Sequence, residues 1–118
     1  MVPVTIHLPW PDSALHAHAK GHWRPKAAAT KAYRCIAWGL ALQAGVKRDP
    51  AARLAFTFHP PDKRRRDCQN MPAMMKGAVD GIADAMGCDD NLFRCAWPEA
   101  FAEPALGGVV IIQVGGAT

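Results

Sequence analysis

The segment Pro61-Asp62-Lys63-Arg64-Arg65-Arg66-Asp67-Cys68-Gln69-Asn70 holds the densest chemistry in the chain. Four consecutive cations, Lys63 to Arg66, can neutralise several phosphates and fix the register of a DNA backbone. A run of charge also suits a plain solvated loop. The residue after the cations shifts the balance. Asp67 places a carboxylate beside a phosphate-holding patch, as magnesium-assisted phosphodiester hydrolysis requires, because Mg²⁺ binds through one or two carboxylates plus phosphate oxygens. Asp67 could otherwise do no more than cap the helix that follows. A second acidic pair, Asp89-Asp90, stands further on, where aspartates are also ordinary turn residues. Between the two groups Lys76, Asp80 and Asp84 recur four apart along one helical face, a spacing that also makes a surface ion-pair ladder.

Other chemistries lack their motifs. There is no G-x-x-x-x-G-K-[ST], G-x-S-x-G or H-E-x-x-H, so a nucleotide cofactor, serine hydrolysis and zinc proteolysis have no support. His16, His18 and His22 fall in a polar stretch without orderly ligand spacing. Cys35, Cys68, Cys88 and Cys95 form no C-x-x-C pair and have no histidine at zinc-finger distance. No basic n-region precedes Val2-Pro3-Val4, and the longest apolar run, Cys35 to Leu42, is too short for a membrane helix. These features predict a cytoplasmic protein with free thiols and no membrane span. Lysine and arginine number 14 against 10 acids, a formal charge of +4. That excess is a mild bias toward a polyanionic partner.

The chain's 118 residues suit one domain, and half of them are apolar, as in a globular fold. Val2 to Leu8 alternates as a first strand. Pro9 and Pro11 then forbid regular structure, and a polar loop with His16, His18, Lys20, His22 and Arg24 is expected up to about Pro25. Apolar residues at three- and four-residue spacing predict a helix over 27–44, with Gly45 as its stop. A strand is expected over Arg53 to Phe58. A second helix over 71–86 carries a methionine-rich stripe, with Asn70 as N-cap, Pro72 in the first turn and Gly87 past the end. Strands near 92–97 and over 109–114 complete the order βαβαββ. That order predicts a small α/β (α+β) domain with a mixed sheet of about four strands and two helices packed on it.

In this context the chain resembles the RusA-type Holliday junction resolvases, a family common in bacteriophages and prophages. The resemblance runs over nearly the whole chain. It comprises Leu8-Pro9-Trp10-Pro11, then Lys31-Ala32-Tyr33-Arg34, then a block from His59 to Asn70 similar to H-x-P-D-x-R-R-R-D-x-D-N, then Lys76 with Asp80 and the Asp89-Asp90 pair. It implies a homodimeric Mg²⁺-dependent endonuclease that nicks four-way DNA junctions symmetrically. Asp67 and Asp90 match the family's catalytic, metal-binding aspartates, and Lys76 matches its functional lysine. Lys63, Arg64, Arg65 and Arg66 would hold DNA. Asp89 is a substitute ligand. At Gln69 the family has an aspartate; an amide oxygen can ligate Mg²⁺ but carries no charge and cannot act as a base. A junction-binding protein with weakened or lost cleavage is therefore the alternative. Helix geometry adds one expectation. Residues 71–86 span roughly 24 Å, which puts Asp67 and Asp90 near opposite ends of a rod and predicts a site shared between two subunits whose 71–86 helices pack antiparallel and bury the methionine stripe between them.

Overall fold

The computed structural model describes residues 3–12, 15 and 23–115. Its elements run β1 (Val4–Pro9), α1 (Trp23–Ala44), β2 (Arg53–His59), a 3₁₀ turn (Cys68–Asn70), α2 (Met71–Met86), β3 (Arg94–Ala96) and β4 (Val109–Val114). The order is the βαβαββ read from the sequence. His16, His18, Lys20 and His22 lie outside the described residues. Arg24 falls not in a loop but in α1, which begins about four residues before the apolar periodicity does. Pro25 is compatible with that early start, because a first-turn N–H has no intrahelical acceptor to lose.

The four strands form one mixed sheet in the order β1-β4-β2-β3. β4 lies in the middle, antiparallel to β1 (Ile6 opposite Ile112) and to β2 (Phe56 opposite Ile112). β3 runs parallel to β2, as the α2 crossover between them requires. Alternation decides the sheet's faces. Ile6 and Leu8, Leu54, Phe56 and Phe58, and Val110, Ile112 and Val114 are all buried, and they point to the face that carries the helices. From α2 the sheet receives Met71, Met74, Met75, Ala78 and Ile82; from α1, Tyr33, Ala37 and Ala41. The methionine stripe is core within the one chain, so it is not the contact between antiparallel 71–86 helices that was expected of it.

The two helices touch through backbone. A Cβ on Gly77 would sit 2.7 Å from the carbonyl oxygen of Thr30. One on Gly81 would collide with the carbonyl oxygen of Arg34 and meet the backbone nitrogen of Trp38 at 3.0 Å. Two glycines one turn apart thus let α1 lie directly on α2.

The end of α2 is a second determinant. Gly87 adopts φ 73°, the left-handed conformation that glycine takes without strain. Its N–H donates to Asp84 O at 3.2 Å, and the N–H of Cys88 donates to Ala83 O at 3.1 Å. This paired closure is a Schellman motif, and it reverses the chain.

Gly81→Ala is expected to destabilise the fold by about 1–2 kcal/mol, since the clash is with backbone that cannot rotate away and outweighs alanine's better helix propensity. Gly39→Ala, where nothing lies within 4 Å of the added methyl, should instead stabilise by about 0.5–1 kcal/mol. Urea midpoints at constant m measure both; equal midpoints for the two variants would mean that the helices do not approach this closely.

Candidate active site and nucleic-acid interface

The cationic run divides by function once its loop is folded. Arg66 is tucked in, its side chain 14% exposed and 3.0 Å from Asp62 Oδ1. Its Nη1 donates to the carbonyls of Asp62 and Arg64 at 3.0 Å each, and its guanidinium lies 5.5 Å from the centre of the Trp10 ring. Asp62 also accepts from the Arg64 N–H at 2.9 Å. That backbone bond, helped by Arg66 and opposed by partial burial, holds the Asp62 carboxyl below its ordinary range. Arg66 therefore organises the loop. Lys63, Arg64 and Arg65 are exposed, and Arg64 keeps only a 3.9 Å contact with Asp62. Three cations, not four, face outward.

Asp67 ends the loop. Its Oδ1 accepts the Gln69 N–H at 2.9 Å, so it caps the short 3₁₀ turn. Asn70, expected to cap α2, makes no side-chain cap bond and has helical dihedrals. The 3₁₀ turn displaces the cap three residues upstream. Gln69 and Asp67 are both exposed and border the same shallow concavity with Arg65 and Cys68.

A second charged group is built across α2. Lys76 Nζ donates to Asp80 Oδ1 at 3.1 Å and to Asp90 Oδ2 at 3.3 Å. Arg34 of α1 grips Asp84 with both arms, Nε to Oδ2 at 2.6 Å and Nη2 to Oδ1 at 2.8 Å, and lies 3.9 Å from Asp80. The Lys76–Asp80 step of the i,i+4 ladder is present, but Lys76 also reaches beyond it to Asp90, and Asp84 is taken by Arg34 of α1. Asp80 raises the affinity of Lys76 for its proton, and the Arg34 hydrogen bond lowers the Asp84 carboxyl. Partial burial pushes Asp90 up; the hydrogen bond and charge of Lys76 more than offset that and leave Asp90 below its ordinary range. Asp89 accepts the Asn91 N–H at 3.0 Å, which tightens the turn that carries Asp90.

Here the rod geometry expected from the sequence is corrected. Asp90 does not stand beyond the far end of α2. The Gly87 reversal returns the chain along the helix, and three residues suffice to bring Asp90 beside Lys76, in the middle of α2. Asp67 and Asp90 still share no partner. Among the described residues, no three His, Cys, Asp or Glu side chains gather around a common point. The hard oxygen donors that Mg²⁺ prefers fall in two half-sets, Asp67 with Gln69 at the start of α2 and Asp90, which shares Lys76 with Asp80, farther along it.

Sequence reading missed two features. Arg34 and Asp84 are fifty residues apart, and no local spacing announces the pair. The aromatic group around Trp10 was also hidden. Its ring meets Phe58 edge-on at 6.3 Å and Phe101 at 6.3 Å, and Leu8-Pro9-Trp10-Pro11 hinted only at a break in the strand.

Over 119 aligned residues the chain is 34% identical to an uncharacterized protein of Xylella fastidiosa (strain Temecula1), covering 97% of this chain and 77% of the relative. The chain belongs to that protein's family. No family model matches the sequence. No helix among the described residues is long and apolar enough to cross a membrane, and Cys35, Cys68, Cys88 and Cys95 are all free thiols.

The Arg34–Asp84 pair gives a pH prediction. A carboxyl held low in the fold contributes stability above the unfolded aspartate value of about 3.9, and loses it as pH falls through the folded value. In Arg34→Gln the opposing burial is left alone, so Asp84 should titrate at higher pH and the acid loss of stability should begin earlier. Carboxyl-carbon NMR titration reads the shift directly; an Asp84 midpoint that does not move would mean the two helices are not clamped there.

Proposed function

We propose that this protein is a Mg²⁺-dependent, structure-selective endodeoxyribonuclease of the RusA type, acting in the cytoplasm on four-way DNA junctions as a homodimer. The observation that supports the reading best is the meeting of Lys76 and Asp90, fourteen residues apart, at 3.3 Å. The resemblance assigned both to one reaction, and neither spacing nor helix geometry brought them together. Lys63, Arg64 and Arg65 hold backbone phosphates. Lys76, kept charged by Asp80 and Asp90, supplies a positive charge to the phosphorane-like transition state or the leaving oxygen. Mg²⁺, when bound through Asp67, Gln69, Asp90 and Asp89 or Asp80, would activate water and neutralise the attacked phosphate.

The division of the donors into two half-sets favours a second copy. The outer face of α1 offers a place for it: Cys35, Trp38 and Leu42 recur at helical spacing, with Trp38 46% and Leu42 48% exposed. Beside them a concavity of about 950 Å³ runs between α1 and α2, bordered by Lys26, Lys31, Arg34, Asp80 and Asp84. An apolar surface flanked by both signs of charge is the kind of patch that a two-fold contact between copies can bury.

A second reading rests on Gln69, whose neutral amide weakens its half-set: a junction-binding protein with little cleavage. A labelled four-way junction incubated with and without Mg²⁺ separates the two. The first reading expects paired nicks with Mg²⁺, faster or at lower Mg²⁺ in Gln69→Asp and absent in Asp67→Asn. Mixed dimers of Asp67→Asn and Asp90→Asn subunits should retain one intact site and nick a single strand. No cleavage by wild type or by Gln69→Asp would remove the nuclease reading, and a dead mixed dimer would place each site within one chain.

Binding carries its own expectation. Replacing Lys63, Arg64 and Arg65 together by alanine should flatten the log–log salt dependence of junction affinity by about 2–3 units, near 0.9 for each phosphate no longer neutralised. Arg66→Ala should lower stability more than it changes that slope. An unchanged slope in the triple variant would mean that these side chains do not meet phosphate.

A further inference from the structure

Next to Asp67 lies a concavity of about 230 Å³ whose apolar walls and Asn70 have no part in the proposed phosphodiester chemistry. Its apolar walls are Trp10, Phe101 and Met74, and Arg65, Arg66, Asp67 and Asn70 stand around them. The aromatic walls are fixed from behind. Trp10 and Phe101 both pack against Phe58, at 6.3 and 6.1 Å with near-perpendicular rings, and Phe58 is fully buried. Arg66 is held over the Trp10 ring by its bonds to the loop carbonyls. Asn70 is half-buried, and its amide is not spent on capping α2.

This combination selects a ligand class. Aromatic faces and a thioether favour a flat, polarisable ring. The Asn70 amide offers a donor and an acceptor side by side, the pattern that pairs with an adenine edge. Arg65 supplies a cation where the ring's phosphate would remain. An intact base pair presents only its edges to such a cavity, so the ring must have left its stack.

We propose that the Trp10–Phe101 cavity receives a single unpaired nucleobase, held by stacking and by the Asn70 amide, with its backbone phosphate on Arg65. The inference rests on the nucleic-acid reading and deepens it: selection of branched DNA then includes capture of a base freed at the branch, beside the carboxylate of Asp67.

The test compares two duplexes that carry a one-nucleotide bulge, identical except that the bulged position is an adenine or an abasic sugar. Both keep the phosphate, so they differ only in the ring. Wild-type protein should bind the adenine bulge about tenfold more tightly, the scale of one base stacked on an aromatic side chain. In Asn70→Ala and in Phe101→Leu the ratio should fall toward one. Taking the ratio within each variant cancels a general loss of affinity, and the wild-type ratio decides the matter even if a variant fails to fold. Equal wild-type affinity for the two bulges, with binding intact, overturns the cavity's role and leaves the nuclease reading standing. Failure to bind either duplex or a four-way junction overturns both.

Discussion

The direct backbone contact between α1 and α2 is the constraint on which the packing of the helices depends. Gly77 and Gly81 remove the side chains that would separate them, and the charged contacts between the helices follow from that approach. Arg34 reaches Asp84 at 2.6 Å because the carbonyl of Arg34 already rests on Gly81. With Arg34 committed to Asp84, Lys76 bonds Asp80 and has reach left for Asp90. The same contact turns the inner face of α1, Tyr33, Ala37 and Ala41, into the core. It leaves Cys35, Trp38 and Leu42 outside.

The second constraint acts on the chain after α2. A helix of sixteen residues would carry its ends about 24 Å apart, and an extended exit would have left Asp90 remote from everything it now touches. The left-handed Gly87 closes α2 with two hydrogen bonds and sends Asp89 and Asp90 back beside it, before β3 joins the sheet parallel to β2. One glycine conformation therefore decides whether Lys76 and Asp90 belong to one site.

What the sequence disclosed and what it hid divide along these lines. Period-two alternation in β2 and β4 and the spacing of Met71, Met74, Ala78 and Ile82 are local signals, and the elements they imply are present with nearly the expected bounds. The run Lys63 to Arg66 was also legible as a group, but not the difference among its members. Whether an arginine faces solvent or folds over Trp10 depends on a ring more than fifty positions away in the chain. Asn70 read as a cap because its type suits one; Asp67 took that role because the 3₁₀ turn placed the Gln69 N–H within its reach. Gly87 was read as a helix stop, which it is. The direction in which it sends the chain is a property of its dihedral angles, and those are not encoded in residue type alone.

Asp67 and Asp90 owe their positions to different kinds of order. The carboxylate of Asp67 is held by its own turn, so it needs no partner from the rest of the fold to keep its orientation, whereas Asp90 is held by Lys76 across a helix. One half-set is thus ordered locally and the other by tertiary packing. Under the proposed reading, an ion bridging the two sets would meet Asp67 already oriented by its turn and would share Asp90 with Lys76. The neutral amide at Gln69 weakens the locally ordered half, where attraction for a cation then falls on Asp67 alone. Arg65 beside it attracts phosphate instead. The start of α2 accordingly carries one carboxylate, one neutral amide and one exposed arginine side by side, and under the proposed reading that set suits phosphate better than it suits a metal ion.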